Sequence, residues 1–360
     1  MMLFGSCFAE YIGARLREYH FPVDVNPFGI QYNPFSIAAS VDRLMTGRPF
    51  SGEELFRDGN LWHSFSHHSS FSHTDKTLCL QQINDRLLPA AALLAEADYL
   101  ILTWGTSWVY TLADDGRVVA NCHKLPASRF VRRQLSVDEM YDTWCPLLRR
   151  LFDLNPRLRV WFTVSPVRHL KDGAHGNQLS KAALLLFTDR LCRTFPDRCD
   201  YFPAYEIVLD ELRDYRFYDT DMAHPSSQAV DYVWERFSEA YFDENTRAVN
   251  REWVRLLQAL RHRPLTPDRE TYRKFVVQNI LKLENFRKKY AFFDVTEELT
   301  AGRRVIVTLG TDEVCDRREC QDLAGRCRAR PEWLCFGVAY RQPFAHLPRR
   351  NAVFCSCYRT

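Results

Sequence analysis

Three short stretches carry side chains that could do chemistry together. The first is Gly5-Ser6-Cys7, in "FGSCFAEYIG" near the start of the chain. Glycine permits a sharp turn at a strand end. Cys7 then falls on the first turn of the helix that follows, where exposed N–H groups and the macrodipole favour an anion and make a thiol a better nucleophile. A lone cysteine is equally a small apolar core residue, and Ser6 beside it offers a hydroxyl nucleophile. The second stretch is "DMAH", with Asp221 three residues before His224. An aspartate so placed can orient the imidazole and stabilise its protonated form, freeing the ring to act as base toward a nucleophile on another loop. The third is "LTWGTS", where Gly105 and Ser107 close an apolar run. Ligands of open α/β sheets bind outside the carboxyl ends of the strands, so the Gly105 N–H or the Ser107 hydroxyl could stabilise an oxyanion there.

Elements able to position these groups are legible in the pattern. Phe8, Ile12 and Leu16 recur at steps of four, one face of a helix over 8–19 with Ser6 as its N-cap. Met1–Phe4 supplies only the end of a strand before it. Asn26-Pro27, Gly29 and Asn33-Pro34 mark a structured loop that leads into a helix at about 35–46. Helices are expected at about 77–96, 137–153, 177–195, from Pro225, and at about 247–261 and 268–288. "ADYLILTWG" and "LRVWFTVSP" read as buried strands, with a short strand and a helix in "DYFPAYEIVLDELRD". Asp115-Gly116 is the turn of a hairpin between Val109–Leu112 and Val118–Ala120. Strands alternating with helices predict a three-layer α/β/α sandwich with a mainly parallel sheet and a helical C-terminal extension. The expected divisions are 1–245, a helical extension over 246–300, and a Cys- and Arg-rich tail over 301–360. That tail reads as a small module or as out-of-frame sequence.

Other polar groups fall on the ligand side of such a sheet. Asn26 lies near Gly29; Ser165, His169 and Lys171 follow the "LRVWFTVSP" strand; His123 lies in "NCHK". Each is a candidate substrate contact. His63, His67, His68 and His73 sit in a Ser-rich loop without carboxylates or a nearby cysteine, a poor metal set, and loop hydrogen bonding is expected instead. No metal or cofactor is expected.

Composition bounds the function. The 360 residues carry 46% hydrophobic residues, enough for a substantial core, and a net charge of +3 leaves no electrostatic footprint for nucleic acid. The longest apolar stretch, near Tyr99–Leu112, is too short to span a bilayer. No signal-peptide pattern precedes Gly5, and a cytoplasmic setting is expected. Six of the twelve cysteines crowd into the tail from Cys315 to Cys357, at spacings that match no recurrent CxxC zinc pattern.

Nucleophile turn, Gly-rich turn after a middle strand, and D-x-x-H before a late helix come in an order that resembles the SGNH (GDSL-type) hydrolases. Laying their G-D-S block on Gly5-Ser6-Cys7 puts Cys7 in the nucleophile position. Their G-x-N-D block on Gly105–Trp108 puts Ser107 where Asn is expected and Trp108 where Asp is expected. Asp221 and His224 match the last block, and Gly29 stands for the lone glycine of the second. The motifs "GSCFAEYIG", "NPFGIQYNP", "NCHKLP", "TVSPVRHLKDG", "NQLSKAALL" and "LRDYRFYDTDMAHPS" resemble more closely still the GSCFA-domain family, grouped with the SGNH-like folds, from about Phe4 to about Leu299. The resemblance implies a fold and a site, not a substrate. The expected activity is an esterase or acyltransferase acting on a small acyl ester, an acylated carbohydrate included, with Cys7 or Ser6 as nucleophile, His224 as base and Asp221 orienting it. The competing expectation is a non-catalytic protein on the same fold that binds an acylated or sugar ligand.

Overall fold

A computed structural model describes residues 1–262 and 268–310. It separates into two compact units, Met1–Tyr241 and a second beginning at Phe242. The first unit is built on five parallel strands: β1 (Met2–Gly5), β2 (Asp24–Val25), β5 (Tyr99–Trp104), β9 (Arg159–Val164) and β10 (Cys199–Tyr201). They lie in the order β10-β9-β5-β1-β2. The chain steps one way from β1 to β2 and the other way to β5, so the switch in winding falls between β1 and β5. Ligand sites of open α/β sheets sit at that point, at the carboxyl ends of the strands.

Helices cover both faces, as the alternation along the strands requires. Met2, Phe4, Leu100, Leu102, Trp104, Val160, Phe162 and Val164 form one buried face. They share a core with side chains of α2 (Pro34–Thr46), α3 (Lys76–Glu96), α4 (Val137–Leu154) and α5 (Gly173–Thr194). Trp104 meets Trp144 edge-on at 4.9 Å and stacks on Phe162 at 5.7 Å, which fixes α4 over the centre of the sheet. The intervening residues Leu3, Ile101, Thr103 and Trp161 face Phe8 and Ile12 of α1 (Cys7–Glu18) and Phe237 of α7 (Ser227–Tyr241). Full burial of an apolar side chain such as Phe4 or Phe8 contributes roughly 1.5–3 kcal/mol.

Two antiparallel additions accompany the sheet. One pairs β3 (Leu55–Asp58) with β4 (Leu61–Ser64); the other places β6 (Trp108–Leu112) between β7 (Val118–Val119) and β8 (Phe130–Gln134). Gly116 takes the left-handed φ of +71° that the Asp115-Gly116 turn demands. The helix boundaries follow their caps. Asn33 Oδ1 accepts from the Ser36 N–H with Pro34 in the first helical position, and Ser136 with Glu139 closes a capping box on α4.

Three expectations are corrected. The helix after "DMAH" starts at Ser227, not at Pro225, because Pro225 bridges to Tyr218 in an extended conformation. The segment after β10 is a short α-turn, α6 (Ala204–Glu206), running into one π-helical stretch at Ile207–Leu212, not a regular helix. Strands β3 and β4 are unforeseen in the sequence, and β4 occupies the start of the His- and Ser-rich region. In the second unit α8 (Glu244–Leu260) and α9 (Arg269–Lys289) match the expected spans, and Trp253 packs against Phe286 and Phe293. There α10 (Thr296–Gly310) runs as one helix through residue 300, where the sequence texture changes. The cysteine-rich stretch from Cys315 onward lies outside the described residues.

Candidate active site

Strand β1 ends at Gly5 and α1 begins two residues later at Cys7. The turn between them depends on Gly5. Its φ is +145°, and a Cβ there would lie 2.3 Å from the Thr103 carbonyl oxygen on β5. Asn26 fixes the same turn. Its Oδ1 accepts the Gly5 N–H at 2.8 Å, its own N–H donates to Leu3 O, and its Nδ2 donates to Glu10 at 2.5 Å. Asn26 therefore holds the β1–α1 turn, and its side chain is not left open to a substrate.

Ser6 and Cys7 have different fates. Ser6 is buried at 1% exposure. Its hydroxyl accepts the Phe8 N–H as the cap of α1 and donates to Ser165 Oγ at 2.9 Å. Ser165, fully buried, also accepts from the Val167 N–H. Both serines serve the ends of β1 and β9. Cys7 is half-buried, a free thiol at the first position of α1, with Sγ 3.9 Å from the Tyr32 hydroxyl.

The loop before α7 brings His224 to this thiol. Asp221 Oδ1 accepts the N–H groups of Ala223 and His224, both at 2.9 Å, and its Oδ2 takes the ring Nδ1–H at 2.5 Å. With Nδ1 committed, Nε2 is the ring nitrogen left for Cys7. The Cys7 hydrogen bond is the largest influence on His224 and, with Asp221, overcomes partial burial to raise its pKa to about 9. Burial of Asp221 would raise its pKa, but hydrogen bonds from the backbone N–H groups of His224 and Ala223 and from the ring outweigh it and hold the carboxylate below its ordinary value. The loop is tied down by Arg168, whose N–H donates to Ala223 O and whose guanidinium donates to Met222 O and covers the Tyr218 ring. Tyr11, one helical turn beyond Cys7, has its hydroxyl pushed up to about 12 by burial and by proximity to Cys7, Asp219 and Asp221.

The remaining candidates separate. The Gly29 N–H is bound by Asn26 O, and the Gly105 N–H by Tyr32 O. Ser107 is fully buried; its N–H and its hydroxyl both donate to Ser180 Oγ. None of these three leaves a donor for an oxyanion, because each donor closes a turn of the framework instead. His123 lies with His63, Ser64 and Ser69, its Nε2 2.8 Å from Ser64 O and its Nδ1 3.2 Å from Ser69 Oγ, and burial lowers its pKa to about 4. It belongs to that histidine-rich cluster, and its ring nitrogens are both engaged there. Lys171 reaches the Tyr110 hydroxyl at 2.7 Å. His169 does stand beside the site: its ring meets Tyr32 edge-on at 5.8 Å, and Nε2 faces Gly105. Among the described residues no group of three or more His, Cys, Asp or Glu could hold a metal ion.

Sequence reasoning passed over Tyr32, Tyr11, Arg168 and Lys181. The fully buried Lys181 ammonium donates to the carbonyls of Gly105 and Ser165, both at 2.7 Å, clamping the ends of β5 and β9. Burial brings its pKa down to about 7. Tyr11 could have been found from its i, i+4 relation to Cys7; Lys181 sits in a quoted motif without any spacing cue.

The fold and site define an α/β protein that carries a Cys-His-Asp line at the winding switch of a parallel sheet. Residues 1–237 match the GSCFA family, and residues 253–305 match the GSCFA domain protein, C-terminal domain. The chain belongs to the GSCFA family. No curated protein and no solved structure matches it. Among the described residues no helix is long and apolar enough to cross a membrane.

Proposed function

We propose that the chain is an SGNH-like acyl-transfer enzyme, an esterase or acyltransferase, that works through a Cys7 thioester. The observation that carries this is the Cys7–His224–Asp221 line at the carboxyl end of β1. In acyl transfer an imidazole takes the thiol proton and the thiolate attacks the acyl carbon. Here His224 Nε2 takes the Cys7 proton, and Asp221, accepting the Nδ1–H, fixes the ring's orientation and stabilises the imidazolium that forms. Collapse of the tetrahedral adduct breaks the ester C–O bond, and the His224 proton goes to the leaving alkoxide. Water or an acceptor hydroxyl then gives a proton back to His224, attacks the thioester, and releases the acyl group and the thiol. Ser6 is a poor nucleophile in this geometry, since its hydroxyl already caps α1 and binds Ser165. An acylated carbohydrate is one ester that suits the site; a cytoplasmic setting suits a free thiol.

The deciding experiment is a panel of short-chain acyl esters with the wild type, Cys7→Ala, Ser6→Ala and His224→Ala. Trapped enzyme is read by mass spectrometry. The expected outcome is an acyl adduct on Cys7 and turnover lost by 10³-fold or more, roughly, in Cys7→Ala and His224→Ala. Turnover surviving Cys7→Ala but not Ser6→Ala would move the attack to Ser6. Ester binding without turnover in the wild type would favour a binding protein.

A further inference from the structure

Helix α9 carries its charge unevenly. Over Arg269–Lys289 seven residues are basic and two are acidic. The whole chain divides in the same sense. Basic residues outnumber acidic ones 23 to 15 after Tyr241 and are outnumbered 25 to 30 up to it. Such an asymmetry points to an anionic partner for the basic part.

One face of α9 is spent on the core of the second unit, where Val276, Ile280, Leu283 and Phe286 are buried. The opposite face is open to solvent. Val277 and Leu281 lie on it one turn apart, 37% and 48% exposed. Lys274 and Lys288 share that stripe, each two turns from Leu281. Lys274 pairs with Glu270, and Lys289 with Glu252. Arg273, Lys282, Arg287 and Lys288 are exposed and have no carboxylate partner among the described residues.

The chain leaves α9 through two phenylalanines of opposite fate. Phe293 is buried against Trp253 and Phe286. That anchor leaves the preceding Phe292 outside, 80% exposed, its ring edge-on to Tyr290 at 6.1 Å. An aromatic side chain thus stands bare just past the Arg287-Lys288-Lys289 run.

Apolar residues exposed among unpaired cations suit one kind of partner. A bilayer of anionic lipid offers headgroup charge to the lysines and arginines and an apolar boundary to the leucine and phenylalanine. A nucleic-acid backbone would engage the cations alone. A second copy of the same face would set unpaired cations against one another.

We propose that the solvent face of α9, with Phe292 beyond its end, docks the protein on the surface of an anionic lipid bilayer. Lys282, Arg287 and Lys288 meet the headgroups, and Leu281 and Phe292 seat at the acyl boundary. The docking is peripheral, and it does not depend on the chemistry of Cys7.

Co-sedimentation of the full chain with lipid vesicles tests this. One set is phosphatidylcholine alone; the other adds about 30 mol % phosphatidylserine. Binding to the anionic set should be at least about tenfold tighter and should weaken as salt rises. The triple variant Lys282→Gln, Arg287→Gln, Lys288→Gln should weaken it by about 10²-fold, three charges each counting roughly fivefold. Glutamine keeps the helix propensity of these positions, and a circular-dichroism melt checks that the fold is intact. Phe292→Ser should weaken binding by about tenfold at low and high salt alike. Equal binding to both sets, binding to neither, or binding unchanged in the triple variant overturns the proposal. A DNA duplex bound more tightly than the anionic vesicles overturns it in favour of nucleic acid. A dimer that dissociates in Phe292→Ser, without vesicle binding in the wild type, overturns it in favour of a second copy.

Discussion

At the scale of single residues the site carries two titrations of opposite sign. His224 is raised from 6.5 to about 9, first by Cys7 and then by Asp221. Its stabilising contribution is fully present below pH 6.5 and is lost as pH rises through about 9. Lys181 is lowered from 10.5 to about 7 by burial. Its contribution is complete above pH 10.5 and is lost as pH falls toward 7. Between pH 7 and 9 the two oppose each other, each with a limiting slope of about 1.4 kcal/mol per pH unit. The wild type should therefore show a shallow dependence of unfolding free energy on pH in that window. Lys181→Met should expose the falling limb due to His224, and His224→Gln the rising limb due to Lys181. Urea titrations at half-unit pH steps measure this; parallel profiles in all three proteins would refute it. The groups that face His224 also make a direct prediction. In Cys7→Ala the imidazole loses its largest support, so its titration, followed by NMR of the ring proton, should move down from about 9 toward 6.5. Asp221→Asn should move it less.

At the scale of elements, the β1–α1 junction carries the site and is the least tolerant of change. Gly5→Ala places a methyl 2.3 Å from Thr103 O at a φ of +145°. We expect a loss of about 3 kcal/mol, within the usual cost of backbone strain combined with overpacking. A shift of the urea midpoint corresponding to less than about 1 kcal/mol would contradict it. This junction was legible in the sequence because its signals are local: a glycine, a capping serine, and apolar residues every four positions. The buried strands β5 and β9 were legible as short apolar runs, and the D-x-x-H loop as a motif. What escaped was set by distant contacts. Strand β2 is two residues long and exists because it pairs with Met2 and Leu3. The start of α7 moved from Pro225 to Ser227 because Pro225 pairs with Tyr218. The donors expected for an oxyanion proved to be engaged for the same reason. Gly29, Gly105 and Ser107 read as open turns, and only the fold shows Asn26, Tyr32 and Ser180 occupying their N–H groups. Tyr32 and Lys181 carried no signal, since a tyrosine in a loop and a lysine on a helix are ordinary until the fold brings one to a thiol and buries the other.

At the scale of the molecule, each residue of the candidate site lies in the first unit, Met1–Tyr241. Cys7 follows β1, Tyr32 precedes α2, His169 follows β9, and Asp221 and His224 precede α7. The sheet and both of its helical layers are complete within the same span, and the GSCFA family match ends at residue 237. The second unit has a core of its own, in which Trp253, Leu283 and Phe286 are buried at 2% exposure or less. A chain with its own core and sheet folds as a unit when the cut falls where few contacts cross. Residues 1–241 expressed alone should therefore unfold in one cooperative transition and alkylate Cys7 with iodoacetamide within about twofold of the full chain's rate. His224→Ala should slow that alkylation equally in both. Circular-dichroism melts and timed mass spectrometry of the labelled thiol measure these outcomes. A fragment that folds but labels Cys7 no faster than a surface thiol would show that the second unit takes part in activating it, and would move the functional boundary beyond Tyr241.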